Sequence, residues 1–385
     1  MRLLLAPDSF KSSLSSQECA RALARGILSV APECEIASIP LADGGEGTID
    51  ALVSHGFEPR ESLAPDAWGV MRRVRSAWRG GTAVIESSQA CVFIPDATPS
   101  QALAASSTGV GVMVRSALDK GALEILLSVG GTASSDGGKG MLEELGIAFL
   151  DAEGRRLAPG GGSLRELSHV DIQGRDARFL TVPVRLLSDV SNPLMGSSGA
   201  AEVFAPQKGA DAASVILLEE GLTRLASLVS PDVASSPGAG AGGGLGFAAM
   251  AVLGATQESG AQTMMGLVDL EAQLMGADLV ITGEGSFDDQ SLGGKLTGEV
   301  LGLAARHGVP CIVVCGVERL SSNDLLKNLT VHSVVPLSFW ESNPKRSIAN
   351  AEALMEKAGE HVGLLLSPSG VNAEPGLPKH HLPSP

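Results

Sequence analysis

Leu3–Ala6 is a short unbroken apolar run that stops at Pro7-Asp8, the mark of a buried strand. Apolar positions recur at helical spacing over Ser16–Val30, and Ile36–Pro40 forms a second short apolar segment. A glycine-rich loop and a further helix near Gly47–His55 follow. Strand, helix, strand, helix in this order predicts parallel strands joined by right-handed crossovers. Val70–Ala77 and Thr82–Ser87 alternate apolar and polar positions on either side of Arg79-Gly80-Gly81, which predicts a hairpin.

From about residue 100 glycine-rich loops cluster, and the apolar segments Glu124–Val129 and Arg185–Val190 end directly on polar residues. Leu245–Gly254 is almost wholly apolar and small, as a buried helix would be. The strand–helix rhythm then resumes. Asp278–Thr282, Pro310–Gly316 and Val331–Pro336 read as strands, and Thr297–His307 and Ile348–Leu366 as helices. Residues 367–385, rich in Pro, Ser and Gly, read as a disordered tail. The pattern predicts an α/β protein of two α/β domains. Residues 1–95 with 275–366 would form a Rossmann-like or flavodoxin-like parallel-sheet domain built from both chain ends, and residues 96–274 an inserted α/β domain. There is no internal repeat of fixed period.

Length agrees with two domains, because 385 residues exceed what one core usually holds. The absence of tyrosine and a net charge of −15 argue against nucleic acid as a partner. No apolar run approaches the roughly 18–20 residues that cross a bilayer, and Met1–Leu5 is too short for a signal peptide. The five cysteines are odd in number and lack Cys-x-x-Cys spacing, against a disulfide framework or a zinc site; Cys311 and Cys315 read as core. The expectation is a soluble cytoplasmic enzyme, monomeric or homodimeric, acting on small molecules without a nucleic-acid or membrane partner.

The chemistry concentrates in six polar, glycine-rich loops that follow strand-like segments: Pro7–Ser13, Leu41–Thr48, Gly130–Gly140, Ser188–Ala200, Pro237–Gly246 and Gly283–Lys295. In open α/β sheets ligands bind outside the carboxyl ends of the strands, and glycine lets backbone N–H groups approach an anion. Six such loops suggest a ligand rich in phosphate and carboxylate. Asp8, Asp43, Glu46, Asp136, Asp189, Glu284, Asp288 and Asp289 lie in or beside them. Acids placed among anion-binding loops would repel the ligand unless some hold Mg²⁺ or take a proton from an attacking hydroxyl. Lys11, Lys208 and Lys295 are the basic counterparts. Each has a plainer reading as well. Asp8 and Asp136 could cap helices, Asp43 could be a turn residue, and Lys208 a solvated loop charge. The standard P-loop is absent, because neither Lys139 nor Lys295 has the required glycine before it or Ser/Thr after it. Gly238, Gly240 and Gly243 match Gly-x-Gly-x-x-Gly, but Ser235-Ser236-Pro237 stands where a buried strand should precede a dinucleotide site. His55, His169, His307, His332 and His361 stand apart from the loops.

These loops resemble the bacterial glycerate kinase family of the type that includes the 2-phosphoglycerate-forming enzymes. The resembling segments are residues 6–11 (APDSFK), 40–48 (PLADGGEGT), 130–133 (GGTA), 136–138 (DGG), 189–194 (DVSNPL), 204–210 (FAPQKGA), 238–246 and 281–285 (ITGEG), the last with Asp288, Gln290 and Gly294-Lys295. They fall in the family's order across roughly residues 1–366. Three positions depart from the family pattern: Ser135 where a side-chain amide is expected, Ser12 where glycine is usual, and Phe287 in place of a smaller aliphatic residue. The resemblance implies transfer of the γ-phosphoryl group of ATP to D-glycerate, with two α/β domains closing on the substrates. It favours the 2-hydroxyl, giving 2-phosphoglycerate, over the 3-hydroxyl.

Loop chemistry and resemblance together make Asp189, Asp43 and Lys11 the catalytic residues expected, with Asp189 or Asp43 as base. Asp43, Asp189, Glu284 and Asp288 are the expected Mg²⁺ ligands. Substrate and phosphate contacts are expected from Asp8, Ser9, Lys11, Gly44, Gly45, Gly47, Thr48, Gly130, Gly131, Thr132, Asp136, Asn192, Lys208, Gly240, Gly243 and Lys295. The competing readings are an oxidoreductase using a nucleotide cofactor at Gly238–Gly243, and a non-catalytic metabolite-binding protein on the same fold.

Overall fold

The computed structural model describes residues 1–322, 326–327 and 329–366, so the expectation for residues 367–385 lies outside the described residues. The chain opens with β1 (Arg2–Pro7) and β2 (Glu35–Ser38). A middle set follows: β3 (Glu58–Pro65), β4 (Met71–Arg79), β5 (Thr82–Glu86), β6 (Glu124–Ser128), β7 (Ala148–Leu150), β8 (His169–Asp171), β9 (Val184–Leu187) and β10 (Thr256–Glu258). It closes with β11 (Leu279–Asp288), β12 (Cys311–Arg319) and β13 (Val331–Pro336). No helix among the described residues is long and apolar enough to cross a membrane.

Two compact units result, one of Met1–Asp43 with the described residues from Ala261 onward, the other of Gly44–Gly260. In the first, both chain ends share one all-parallel sheet ordered β13-β12-β11-β1-β2. The apolar run that predicted β1 is fully buried. The helix Ser16–Val30 starts on a capping box, in which the Glu18 N–H donates to Ser15 Oγ and Glu18 in turn accepts from the Ser15 N–H. Its Leu23 and Ile27 join Leu3, Leu5, Ile281 and Val314 of the sheet and Met355 and Val362 of the helix Ala351–Leu366 in one core. Cys311 and Cys315 are buried on β12, as their apolar setting suggested.

The second unit holds a mixed sheet ordered β10-β9-β6-β5-β4-β3. The predicted hairpin is there: Arg79 pairs with Thr82 across Gly80 and Gly81, both at positive φ, as a tight two-residue turn requires. Its sheet is not the predicted one. β5 pairs in parallel with β6, from Thr82↔Glu124 to Glu86↔Ser128, so residues 44–95 belong with the middle of the chain. Residues 261–274, expected in the inserted domain, belong with the first unit. Alternation reveals that a hairpin forms but not which edge it joins. The apolar stretch near 245–254 is helical and largely buried, as Ala241–Ala248 followed by a π-turn over Ala249–Leu253.

Candidate active site

In the five-stranded parallel sheet the chain steps from β1 outward to β2, then returns on the other side of β1 to lay down β11, β12 and β13. The direction of winding therefore reverses between β1 and β11, and in this flavodoxin-like order ligands bind outside the carboxyl ends of the two strands at the reversal. Their last paired residues are Pro7 and Gly283. The Asp8 N–H donates to the Gly283 carbonyl at 2.9 Å, so Asp8 and Glu284 stand side by side just past the ladder. A cavity of about 530 Å³ opens there. Seven of the residues singled out from the sequence line it: Asp8, Ser9, Lys11, Asp43, Glu284, Asp288 and Lys295.

Charge in this cavity is unbalanced. Burial pushes the Asp8 carboxyl well above the usual carboxylate range, and the nearby charges of Asp43 and Glu284 push it further. The Ser9 N–H, 2.6 Å from Asp8 Oδ1, and Lys11 pull the other way. Burial also raises Glu284, against the Ser291 and Thr297 hydroxyls and Lys295, and its Oε1 is buried with no hydrogen-bond partner. Lys11 Nζ lies 4.0 Å from Asp43 Oδ2 with most of its side chain exposed. Lys295 Nζ reaches Gln290 Oε1 at 3.5 Å. Asp288 has a structural task as well, since its Oδ1 accepts from the Gln290 and Ser291 N–H groups at 3.0 and 3.3 Å. Ser12 sits at φ 66°, in the left-handed region that glycine tolerates best. Phe287 is accommodated by complete burial.

A cluster of mutually repelling carboxyls with one orphaned buried oxygen suits a hard cation. No three acids or other ligating side chains converge as a ready-made metal cluster among the described residues. The expected set Asp43, Asp189, Glu284 and Asp288 is thus not gathered as one cluster among the described residues; the fit to Mg²⁺ rests on the orphaned Glu284 oxygen near Asp8 and Asp43.

The other predicted residues lie in the Gly44–Gly260 unit. There the loop donors are largely occupied from within. Glu86, fully buried at the end of β5, accepts from the Gly47 N–H at 3.3 Å, the Ile49 N–H at 2.9 Å and the Ser88 hydroxyl at 2.5 Å. Gly44 accepts from the Ser128 hydroxyl, and Thr48 donates to the Gly45 carbonyl at 2.7 Å. A side chain on Gly130 would meet the Cα of Gly45 at 2.8 Å, so these two loops touch backbone to backbone. Gly131 follows at positive φ, and the Thr132 hydroxyl is buried without a partner, as is that of Ser135. Asp136 is completely buried. Its carboxylate accepts from the Ser107 N–H and hydroxyl at 2.8 and 2.9 Å and from the Gly138 and Gly140 N–H groups, each at 3.1 Å. Lys208 is buried too, and donates to the Ser134 carbonyl at 2.6 Å.

The glycine run 238–246 is a packing device. Gly242, Gly243 and Gly244 are all left-handed, and a Cβ on Gly243 would lie 2.1 Å from the Ser134 carbonyl oxygen. The Gly240 N–H donates to the Asn192 carbonyl at 2.9 Å, while Asn192 Nδ2 donates to the Ser198 carbonyl at 2.7 Å. The short helix Pro231–Ala234, not a strand, precedes the run, so the dinucleotide-binding alternative lacks its framework. Asp189 follows β9, and its Oδ1 accepts from the Ser259 hydroxyl at 2.8 Å and the Gly260 N–H at 2.9 Å. Sequence reading missed Glu86 and also Arg319, which lines the cavity at the end of β12. Glu86 ends an alternating strand and Arg319 an apolar one, and a charge at a strand's carboxyl end was the available signal.

A flavodoxin-like sheet with acids and lysines gathered at its switch point defines an α/β enzyme that handles anionic small molecules. The model of the glycerate kinase family matches residues 3–367, and the chain belongs to that family. Relatives include the glycerate 2-kinase of Escherichia coli (strain K12), 38% identical over 82% of this chain and 85% of the relative. A glycerate kinase of Bacillus subtilis (strain 168) is 37% identical over 87% and 91%. The crystal structure of a candidate glycerate kinase 2 from Salmonella typhimurium LT2 superposes with a TM-score of 0.77 at 34% identity, covering 95% of this chain and 98% of that one. Membership identifies the chain as an ATP-dependent kinase.

Proposed function

We propose that the chain transfers the γ-phosphoryl group of ATP to the 2-hydroxyl of D-glycerate, giving 2-phosphoglycerate and ADP. The observation that carries the reading is the cavity at the β1/β11 switch point, where Lys11 and Lys295 stand beside Asp8, Asp43 and Glu284. Phosphoryl transfer asks little covalent chemistry of the protein and much positioning of charge, which such a set provides.

The glycerate 2-oxygen attacks the γ-phosphorus in line, the bond to the β,γ-bridging oxygen breaks, and the hydroxyl proton passes to a carboxylate. Asp189 after β9 or Asp43 in the cavity takes that proton, Asp43 only where it is not also a ligand of the ion. Lys11 and Lys295 neutralise charge on the phosphoryl oxygens or the glycerate carboxylate. Glu284 and Asp43 would hold Mg²⁺, which when bound would offset phosphate charge and orient the leaving group. The loop from Gly44 to Thr48 acts chiefly by holding its shape, since much of its hydrogen-bonding capacity is used internally, whereas the Thr132 hydroxyl at the end of the Gly130–Thr132 loop has no internal partner.

The test is a coupled assay with D-glycerate, ATP, Mg²⁺ and enolase, without phosphoglycerate mutase. Phosphoenolpyruvate should form; product that appears only when the mutase is added would move the phosphate to the 3-hydroxyl. Asp43→Asn and Asp189→Asn should separately lower turnover by orders of magnitude, and near-normal turnover in either removes that residue from the mechanism. No turnover of glycerate in the wild type would leave a metabolite-binding protein.

A further inference from the structure

The cavity is larger than its charged end. Beyond Glu284 it runs along the carboxyl edge of the sheet under β12 and β13, to Val317, Leu337 and Ser338, and on to Ser347 and Ile348 of the helix Pro344–Ala349. Three strand spacings separate β1 from β13, about 14–15 Å at the usual distance between neighbouring strands. A molecule as small as glycerate fills only a fraction of about 530 Å³, a volume in the range of pockets for nucleotide-sized ligands.

Its chemistry is graded along that length. The β1/β11 end carries Lys11 and Lys295, while the β12/β13 end offers Leu337 as a buried floor and Ile348, 49% exposed, at the rim. A large aliphatic side chain half in water beside a cavity gains from an apolar ligand that covers it. Polar groups at this end are Arg319 at the end of β12, Ser338, Ser342, Ser347 and Glu341, whose Oε1 accepts from the Asn343 N–H at 2.9 Å and is so held in place. An end with two lysines, and an end where Val317, Leu337 and Ile348 stand beside fixed polar groups, match a phosphate chain joined to a nucleoside.

We propose that the β12/β13 end of this cavity is the nucleoside subsite for the phosphoryl donor, with Val317, Leu337 and Ile348 covering the base and Glu341 within the polar set that meets the ribose. The proposal rests on the kinase reading and adds where the donor lies, with its phosphates toward Lys11 and Lys295.

The experiment compares ADP with pyrophosphate by calorimetry on the full chain with Mg²⁺, since the two share a diphosphate and differ by the nucleoside. Ile348→Asn removes the apolar rim and Ser347→Trp fills the groove; both positions are at the helix surface. Each should raise the Kd for ADP at least about fivefold, as expected for losing part of one aliphatic contact, and leave that for pyrophosphate within about twofold. Lys11→Ala should weaken both ligands. ADP affinity unchanged in both variants, or pyrophosphate affinity falling in parallel, overturns the subsite, as does a wild type that binds no ADP. Glycerate turnover in the wild type with ADP binding insensitive to both variants sinks the subsite alone. Selective loss of ADP in a chain that does not phosphorylate glycerate sinks the kinase reading and keeps the subsite.

Discussion

Lys208 is the most sharply testable residue in the Gly44–Gly260 unit. Its side chain is buried and donates to the Ser134 carbonyl at 2.6 Å, and burial pulls its pKa from an ordinary 10.5 down to about 8, with Cys91 and Asp136 pulling it partway back. The depression means the folded state holds the proton less tightly than the unfolded chain. Above pH 10.5 both states are neutral and the lysine costs nothing; as pH falls to about 8 the unfolded chain gains a proton first and stability is lost. Below pH 8 the penalty is complete, about 3 kcal/mol at 1.36 kcal/mol per pH unit. Lys208→Met removes that penalty and gives up one hydrogen bond of about 1 kcal/mol. The net gain near neutral pH is about 2 kcal/mol, or about 4–8 °C in Tm for a unit of this size. Urea denaturation followed by circular dichroism from pH 7 to 10 should show wild-type stability rising with pH and the variant lacking that rise. A variant less stable than wild type at pH 7, with the pH slope retained, would refute the reasoning. Loss of turnover at unchanged stability would instead return Lys208 to phosphate contact.

Lys11→Ala should lower kcat/KM for ATP about 100-fold or more, the usual effect of deleting a group that stabilises transferring charge. Its Tm should move by no more than about 2 °C, because an exposed pair 4.0 Å apart contributes little to folding; a larger fall would make it structural. Gly243→Ala forces a side chain onto a residue at φ 66° and places its Cβ 2.1 Å from the Ser134 carbonyl oxygen. It should cost about 3 kcal/mol or more in a chemical denaturation curve, and a neutral result would show that the run 242–244 can rearrange.

Periodicity made the elements legible but not their neighbours. The run Leu3–Ala6 could be read as a buried strand because it is apolar on both faces, and the C-terminal strands for the same reason. What no window of sequence contains is that β1 lies beside β11, across more than 270 residues, and that the winding reverses there. That one pairing decides which loops matter. Without it the six glycine-rich loops looked equivalent, and both Asp136 and Glu284 were expected to meet the ligand or its metal. They are opposites: Asp136 is saturated by four internal donors, whereas one oxygen of Glu284 is buried and unmatched. The hairpin formed as predicted but its sheet was misassigned for the same reason, because its alternation fixed its faces while β6, forty residues on, fixed its sheet.

Glu86 shows the principle at the Gly44–Thr48 loop. Glycines before a short helix suggested an anion site, and the protein itself places the Glu86 carboxyl there. Glu86→Gln keeps the shape and removes the charge. A glutamine has one acceptor oxygen, so if it serves the Ile49 N–H at 2.9 Å its amide NH₂ faces the Gly47 N–H, and the Ser88 hydroxyl must turn from donor to acceptor. One backbone donor loses its partner, at about 1–3 kcal/mol. Against this, burial raises the Glu86 pKa, so the charge itself carries a desolvation cost that glutamine avoids. The two effects partly cancel and leave a loss of about 1–2 kcal/mol for Glu86→Gln. Glu86→Ala strands all three donors and opens a cavity, and should lose about 4 kcal/mol or more. Denaturation curves for both variants would settle the order. If Glu86→Gln proved as stable as wild type, shape alone would hold the loop and the carboxylate would not be standing in for a bound anion.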